Sequence, residues 1–536
     1  MTTSGHSAPP SPRPKTVAVI GLGAMGIVAV KNLVEEGFDV TGFERNPYVG
    51  GLWHYTDDKN TLSVLPDTQT NVTVDSGCYT DYPYPKGTPA YCSAKEVENY
   101  LESYVDHFGL RPHFHLNTII TGITRQDDFD KWRIDIEGQA SRHFDKVVMA
   151  TGPHVKPCMP DIKDAHLFSG PIIHSRAFKK PEELRGRRVV VLGLGNTGGD
   201  IADALVGIAS SVTLSHNRGA VILPRFVNGL PASHLVTHRR IDIQGTAEKC
   251  IPSQLLGRLV SRKVKGIMKT AFGDIDPSWR LDPAPSLDVS VPVVSDTLMD
   301  HLRAGDVRSA PGIRRIVSPN EIELDDGTTI EADALICCTG YKNDFGILDT
   351  RFDPSANPPS EWKSSPGAKD RPLPRLYRNV FSLDQPGSLA FVGCVWFATG
   401  AFCLADLTSM CIAQVWAGKS SLPPAREMSR WADVQERRIC SLAQRGSPIP
   451  TSVPHREWLM WADRTAGTGV FENLGWGCAG WRFWWREREL CRYMMDGVLA
   501  AAMWRVFDKG KRKPWEGAKA EIVRVNEAAR EEKRIR

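Results

Sequence analysis

The chain has 536 residues, of which 41% are hydrophobic and 24% charged, and its formal net charge is +4. This is the composition of a globular protein with a large core, and the length predicts about two to four domains. So small a net charge gives no reason to expect a nucleic-acid partner. No apolar run approaches the ~20 residues that a bilayer-spanning helix needs. The 12 cysteines are scattered without metal-ligand spacing, so we expect no metal site and a reducing, cytoplasmic compartment.

The first glycine-rich motif is Gly21-Leu-Gly23-Ala24-Met25-Gly26. It follows a buried strand predicted at 16–20 and precedes a helix predicted at 28–36 and a strand predicted at 38–43. Glu44 comes directly after that second strand. A carboxylate at this place accepts hydrogen bonds from ribose hydroxyls, while the glycines and the helix N-terminus hold a pyrophosphate. The whole βαβ context predicts a dinucleotide site rather than a tight turn alone.

A second motif follows the strand-like run 189–192. It reads Gly193-Leu-Gly195-Asn196-Thr197-Gly198-Gly199-Asp200. The position equivalent to Glu44 is His216, and Arg218 lies two residues further on. A carboxylate would repel a 2′-phosphate, whereas a guanidinium neutralises it. We therefore predict FAD at the first site and NADPH at the second, unless Arg218 is only a solvated loop charge.

Together these features predict an α/β protein with two Rossmann-like dinucleotide-binding domains, the NADPH domain being inserted in the FAD domain. We place a disordered tail at 1–14, the first part of the FAD domain at 15–170 and the NADPH domain at 171–340. The FAD domain then returns at 341–536 with a C-terminal helical region. A helix at 93–108 with a capping box of Ser93 and Glu96, a strand at 144–149 and a surface loop at 353–374 are also expected.

Several further motifs accompany the two glycine loops, in this order: Gly50-Gly51-Leu52-Trp53, Thr70-Asn71, Asp81-x-Pro-x-Pro85, Phe168-x-Gly170-x-x-x-His174-x-x-x-Phe178, Cys338-Thr-Gly-Tyr341 and Phe391-Val-Gly393. The sequence resembles the flavin-containing monooxygenases, a class B flavoprotein family that includes the dimethylaniline monooxygenases. The resemblance extends over most of the chain. Two segments depart from the family pattern, Asp406–Met410 and His216-Asn217, so the phosphate contact could rest on Arg218 alone.

The resemblance implies that NADPH reduces FAD and that the reduced flavin binds O₂ as a C4a-hydroperoxide. One oxygen then passes to the nitrogen or sulfur of a small organic substrate. It also implies that Asn71 is the catalytic residue, hydrogen-bonded near the flavin peroxide. The implied cofactor contacts are Gly21, Gly23, Ala24, Met25, Gly26, Glu44, Gly51, Leu52, Trp53, Thr70, Asn71, Val72, Gly193, Gly195, Asn196, Thr197, Gly198, Gly199, Asp200 and Arg218.

Three other functions remain open at this point. The related Baeyer–Villiger monooxygenases oxidise ketones, but they usually carry Trp where this chain has Phe178. An NADPH oxidase would release peroxide, and a flavoprotein scaffold would bind the cofactors without catalysis.

The C-terminal region combines tryptophans with arginines between residues 476 and 515. This pattern is typical of an amphipathic element on a membrane surface, and also of helices that cap the core. The last residues, 516–536, are too highly charged to be a membrane anchor.

Overall fold

A computed structural model describes residues 13–251 and 253–535. The expected disordered tail falls almost wholly on residues 1–12, which lie outside the described residues. Two five-stranded parallel sheets dominate the structure. The first has the spatial order Leu389–Phe391, Lys146–Met149, Thr16–Ile20, Asp39–Phe43 and Phe114–His115. The second has the order Val307–Ala310, Ser211–Ser215, Arg188–Leu192, Ala334–Cys337 and Ile172–His174.

Both sheets reverse their strand order beside a central strand that carries a glycine loop. In the first sheet, Thr16–Ile20 lies between Asp39–Phe43 and Lys146–Met149. In the second, Arg188–Leu192 lies between its own two parallel neighbours in the same way. Ligands of such sheets bind at the carboxyl ends of the strands, at this reversal. The predicted α/β class with two dinucleotide-binding units is therefore confirmed.

The second sheet is built from a segment inserted into the chain of the first. The chain leaves the first sheet after Met149 and returns to it only at Leu389–Phe391. The segment that leads from the first sheet to the second and the segment that leads back lie side by side. There, Lys156–Pro157 pairs antiparallel with Tyr341–Lys342. We call the part built on the first sheet the first unit and the part built on the second sheet the second unit. The boundaries at residues 170 and 340 stay predictions.

The remaining strands form smaller sheets. Their strands are Ile120–Gln126, Lys131–Ile136 and Arg142–Phe144; Ile313–Ser318, Glu321–Leu324 and Thr329–Glu331; Ile222–Leu223 and Val293–Val294; and Phe226–Val227 and Leu230–Pro231. The α-helices are Ala24–Glu35, Val74–Gly77, Ala94–His107, Asn196–Leu205, His238–Cys250, Ser253–Phe272, Leu298–Ala304, Ser360–Lys363, Ala401–Trp416, Ala425–Ala443, His455–Ala466, Val470–Asn473, Cys478–Arg486, Arg488–Asp496 and Ala518–Ile535. None of the helices in the described parts of the chain combines the length and apolar sequence that a bilayer span requires.

Apolar side chains cover both faces of each large sheet. In the first unit, helix Ala24–Glu35 packs between the sheet and helix Ala401–Trp416, and its residues from Ile27 to Leu33 are all buried. On the other face, Trp132 of strand Lys131–Ile136 is fully buried and packs in one cluster with Ala18 and Ile20 of the central strand. This burial on two faces explains why the central strands are continuous apolar runs rich in Val.

Three local predictions have clear outcomes. The capping box is confirmed, because Ser93 and Glu96 each bond the other's backbone N–H. The single strand expected at 144–149 was wrong: it divides at Asp145, whose carboxylate bonds Thr16 N at 2.8 Å. The surface loop expected at 353–374 was also wrong in part, because Trp362 is buried there and its Nε1 donates to Arg371 O at 2.8 Å.

The C-terminal region does cap the core, but not with all of its aromatic residues. Trp504 is buried, as are Ile522 and Val525 of the last helix. Trp476 and Trp485, in contrast, are 82% and 69% exposed.

Candidate active site

The two glycine loops have the same local geometry. Gly21 and Gly193 have φ of +95° and +116°, which favour glycine. A Cβ on Gly21 would lie 2.7 Å from Ala150 O, and one on Gly193 would lie 2.6 Å from Cys338 O. After each central strand, the chain therefore turns in contact with the residue that follows the neighbouring strand of the same sheet. Only a residue without a side chain fits both turns.

The third glycine of each loop lets the helix begin close to the turn. A Cβ on Gly26 would lie 1.8 Å from Gly21 O, and one on Gly198 would lie 2.0 Å from Gly193 O. The helices begin at Ala24 and Asn196 without a side-chain cap, so their first N–H groups have no side-chain acceptor. A pyrophosphate supplies the acceptors that such helix starts lack.

Glu44 lies where the sequence predicts, at the end of the second strand of the first sheet. Its Oε2 accepts from Leu22 N at 2.9 Å, and its Oε1 accepts from Asn46 N at 3.0 Å. The carboxylate is 6% exposed and so is held rigidly beside the glycine loop. Its remaining lone pairs are available to a ribose.

The Gly50–Trp53 segment lies against the first glycine loop. Gly23 and Gly50 form a β-bridge, and a Cβ on Gly51 would lie 3.0 Å from Gly23 Cα. Gly51–Trp53 is one turn of 3₁₀-helix, and Leu52 O accepts from Val64 N at 2.9 Å. Met25, in the same loop, lies against Gly393. The structure thus places Gly50 and Gly51 directly against Gly23, while the contact of these residues with a flavin stays a prediction.

In the second unit the predicted contacts line one helix N-terminus. Asn196 Oδ1 accepts from Val294 N at 2.8 Å, while Thr197 is exposed and Gly199 packs on Leu298. No heavy atom lies within 4 Å of a Cβ built on Gly195, so there is open space above the loop. This is the position at which a dinucleotide backbone approaches the loop.

Asp200 lies in the first turn of the same helix. Burial raises its pKa from 3.8 to about 6, although the charge of Arg225 acts in the opposite direction. A carboxyl group whose pKa is shifted in this way beside a helix N-terminus is a candidate for a functional role.

The position equivalent to Glu44 does not offer a free side chain. His216 is buried, its Nδ1 bonds Arg218 O at 2.9 Å and its Nε2 bonds Ser309 Oγ at 2.9 Å. Burial lowers its pKa, although the bond to Arg218 O acts in the opposite direction. Arg218 is exposed beside it, and the pKa of Lys369 is lowered by burial first and then by the charges of Arg371 and Arg218. A second cation therefore lies near Arg218, in a segment where the sequence predicts only a loop.

Asn71 is exposed where the two units meet. Its Oδ1 accepts from Arg225 Nη2 at 3.0 Å, and Arg225 Nε donates to Thr70 O at 3.1 Å. Thr70 is fixed in turn by a bond from its N to Cys92 O at 2.9 Å. Val72, next in the chain, is half-buried against Gly77. Nothing in the sequence around Arg225 predicts this contact, because it depends on how the two units pack.

Other motif residues are structural. His174 Nε2 donates to Gly340 O at 2.9 Å and its Nδ1 accepts from Arg176 N at 3.2 Å. The first of these bonds joins strand Ile172–His174 to the segment that leads back to the first unit. Asp406 is fully buried and accepts a hydrogen bond from Thr80 N at 2.9 Å. It lies behind helix Ala24–Glu35, which we call the FAD-site helix. Cys337 is buried and the pKa values of Cys337 and Cys338 are raised by burial. Across the described residues, no group of His, Cys, Asp and Glu has a metal-binding arrangement.

The residues fit the two nucleotides. Each loop has the cradle that a Cβ would fill, an uncapped helix start and, at the first site only, a buried acid for the ribose. At the second site the buried His216 takes the position of that acid, and the exposed Arg218 lies two residues further on. The individual contacts stay predictions.

Comparison with known proteins assigns the family. The model of the FMO-like family, described as flavin-binding monooxygenase-like, matches residues 14–449. The chain belongs to this family. It is therefore an oxidoreductase, and the prediction of a flavin-containing monooxygenase with FAD and NADPH as cofactors is confirmed at the level of the family. Within this flavin-binding family, it is similar to the monooxygenase aurF of Gibberella zeae, with 41% identity over 516 residues, 95% of this chain and 97% of that relative.

Solved structures share the fold of this flavin-binding monooxygenase. The S-allyl-L-cysteine S-oxygenase of Allium sativum is 20% identical, with a TM-score of 0.62 over 97% of this chain and 99% of that one. The cyclohexanone monooxygenase of Rhodococcus sp. Phi1 bound to NADP⁺ is 18% identical, with a TM-score of 0.57 over 86% of this chain and 98% of that one.

Proposed function

We propose that this monooxygenase consumes NADPH and O₂ to transfer one oxygen atom to the nitrogen or sulfur of a small organic substrate. The other oxygen atom leaves as water, and NADPH supplies the two electrons. FAD, when bound, would take the hydride from NADPH and activate O₂. The chain's own residues bind both nucleotides, orient them and exclude water from the place where they meet.

The observation that supports this proposal most is the arrangement at Asn71. Because an arginine has only donors, the atom that faces Arg225 must be the amide oxygen of Asn71. The amide nitrogen then points away from Arg225, and no other described group accepts a hydrogen bond from it. A fixed donor at the junction of the two units can stabilise negative charge on an oxygen species there.

The nucleotide sites support the cofactor roles. In the first unit Glu44 would hold the ribose of FAD, with Gly51, Leu52 and Trp53 beside the cofactor. In the second unit Arg218 would bind the 2′-phosphate of NADPH, with Lys369 as a nearby cation. An exposed arginine at this place favours NADPH over NADH.

Product analysis tests the proposal. The FAD-loaded protein would be incubated with NADPH and ¹⁸O₂ and with a tertiary amine, a thioether and a cyclic ketone. We expect an N-oxide or sulfoxide that carries one ¹⁸O atom. A lactone alone would instead show Baeyer–Villiger chemistry, which the fold shared with cyclohexanone monooxygenase permits and Phe178 opposes. Peroxide with no labelled product from any of the three would leave an oxidase as the better description.

We also propose a peripheral membrane contact through the C-terminal region. Trp476, Trp481 and Trp485 are 82%, 50% and 69% exposed, and the last two lie one turn apart on helix Cys478–Arg486. Arg482 and Arg486 are exposed beside them and make no ion pair with any described residue. Tryptophan and unpaired arginine together suit the headgroup region of an anionic bilayer.

Vesicle binding tests this contact. We expect co-sedimentation with phosphatidylcholine vesicles that contain phosphatidylserine, lost on replacing Trp481 and Trp485 by Ser. The matched control is Val434→Ser, because Val434 is 54% exposed on another helix. Equal binding of all three proteins would rule out the tryptophan surface.

A further inference from the structure

The second unit holds the Asn71 loop at two points. Its hairpin Phe226–Val227 and Leu230–Pro231 lies between Arg225 and Ser233. Arg225 bonds the loop at Thr70 and Asn71, and Ser233 Oγ donates to Thr73 Oγ1 at 2.9 Å. The loop that carries the predicted catalytic amide is therefore fixed on both sides by residues of the other unit.

The Arg225 side chain is itself fixed from both units. It is 8% exposed, and its Nη1 lies 3.1 Å from Asp296 Oδ2 in the second unit. From the first unit, the buried Tyr91 donates from its hydroxyl to Arg225 O at 2.6 Å. Tyr91 thus holds the backbone of Arg225 and Asp296 pairs with its guanidinium, which together direct that group towards Asn71.

We propose that Arg225 is a positioning residue that sets the orientation of the Asn71 amide. Rotation of that amide by 180° would place its NH₂ against the guanidinium, where donor would face donor. Loss of a hydrogen bond to a charged group changes such an equilibrium by about tenfold or more. Arg225 thus keeps a donor, rather than an acceptor, directed away from itself. This inference rests on the proposed role of Asn71.

Because Arg225 belongs to the second unit and Asn71 to the first, the orientation depends on the two units being docked. The contact is also coupled electrostatically to the second glycine loop. The positive charge of Arg225 lowers the pKa of Asp200, which lies in helix Asn196–Leu205 after that loop. Separation of the units would release the amide.

The test compares Arg225→Met with Arg225→Lys and Ser233→Ala. Ser233→Ala is the matched control, because it removes the other hairpin contact to the same loop without touching Asn71. For Arg225→Met we expect normal FAD content and a rise of at least about fivefold in the peroxide formed per oxygenated product, from the loss of a charge-assisted bond. Arg225→Lys should recover part of the coupling, because its ammonium can donate to Asn71 Oδ1. Ser233→Ala should stay within about twofold of the wild type, since a neutral hydrogen bond contributes less.

Two further measurements separate positioning from general damage. Hydrogen exchange of the FAD-loaded protein should rise in peptides that cover residues 69–73 in Arg225→Met. The double variant Asn71→Ala/Arg225→Met should uncouple no more than Asn71→Ala alone, because without the Asn71 amide Arg225 has nothing to orient. Normal coupling in Arg225→Met, or additive effects in the double variant, would overturn the inference. A wild type that forms no oxygenated product would instead refute the proposed function, and normal coupling in Asn71→Ala would refute the role of Asn71.

Discussion

Arg505 Nη2 lies 2.6 Å from Asp81 Oδ2, and both side chains are buried. The same carboxylate oxygen lies 2.5 Å from Lys31 Nζ on the FAD-site helix, and Arg505 Nη2 lies 3.6 Å from Asp406 Oδ1. The C-terminal region is therefore joined to the back of the flavin site by buried charges. Burial raises the pKa of Asp81, but Arg505 and Lys31 outweigh it and hold that pKa below the usual value.

Removing one partner of this network should destabilise the protein strongly. Arg505→Met leaves two buried carboxylates with fewer cations, and such losses cost about 3–5 kcal/mol. Urea unfolding of the FAD-loaded protein measures the effect. Arg239→Met is the control, because its ion pair with Asp496 is nearly half exposed and should contribute about 0–1 kcal/mol. Equal losses in the two variants would contradict the structural role of Arg505.

Glu44→Ala should weaken the retention of FAD, because the ribose loses its acceptor and Leu22 N loses its partner. We expect a lower flavin-to-protein ratio after gel filtration. Asp39→Ala, at the exposed beginning of the same strand, should retain normal flavin. A normal ratio in Glu44→Ala would exclude the ribose role.

Arg218→Ala should raise the KM for NADPH about tenfold, the effect of losing ~1.4 kcal/mol of binding energy. The KM for NADH should hardly change, because NADH has no 2′-phosphate. Lys369→Ala should show the same selectivity with a smaller effect if it is the second cation. An equal change for both nucleotides would show that Arg218 does not bind the phosphate.

Asp200→Asn should stabilise the NADP⁺-free protein at alkaline pH. The folded-state pKa of Asp200 is raised to about 6 from 3.8, so its favourable contribution is complete below pH 3.8 and is lost as the pH rises through about 6. The gain at pH 8 should be about 1–3 kcal/mol, at 1.36 kcal/mol per pKa unit, and should disappear near pH 4. Thermal unfolding at the two pH values measures it. A gain that does not depend on pH would mean that ionisation of Asp200 is not its cause.

The glycine loops show how much of the fold could be predicted. Gly21 and Gly193 were predictable because a βαβ unit leaves its pattern in about thirty consecutive residues. The motif that ends at Tyr341 also predicted a return to the first unit, although the strand that rejoins the first sheet is Leu389–Phe391.

Contacts between distant segments could not be predicted in this way. Arg225 reaches Asn71 only when the two units are docked, and Arg505 reaches Asp81 only when the C-terminal region is folded back. The prediction of a surface loop was wrong at Trp362. The residues around it are polar, but its own aromatic side chain is buried. Composition averages over a segment, whereas burial is decided residue by residue.

We expect the FAD-loaded protein to activate O₂ with electrons from NADPH. Stopped-flow absorbance after mixing with one equivalent of NADPH in aerated buffer, without substrate, tests it most directly. We expect the flavin to be reduced and then to pass through a long-lived species whose spectrum differs from both oxidised and reduced flavin. Asn71→Ala should shorten that lifetime. A flavin that NADPH does not reduce, or a purified protein without flavin, would contradict the account.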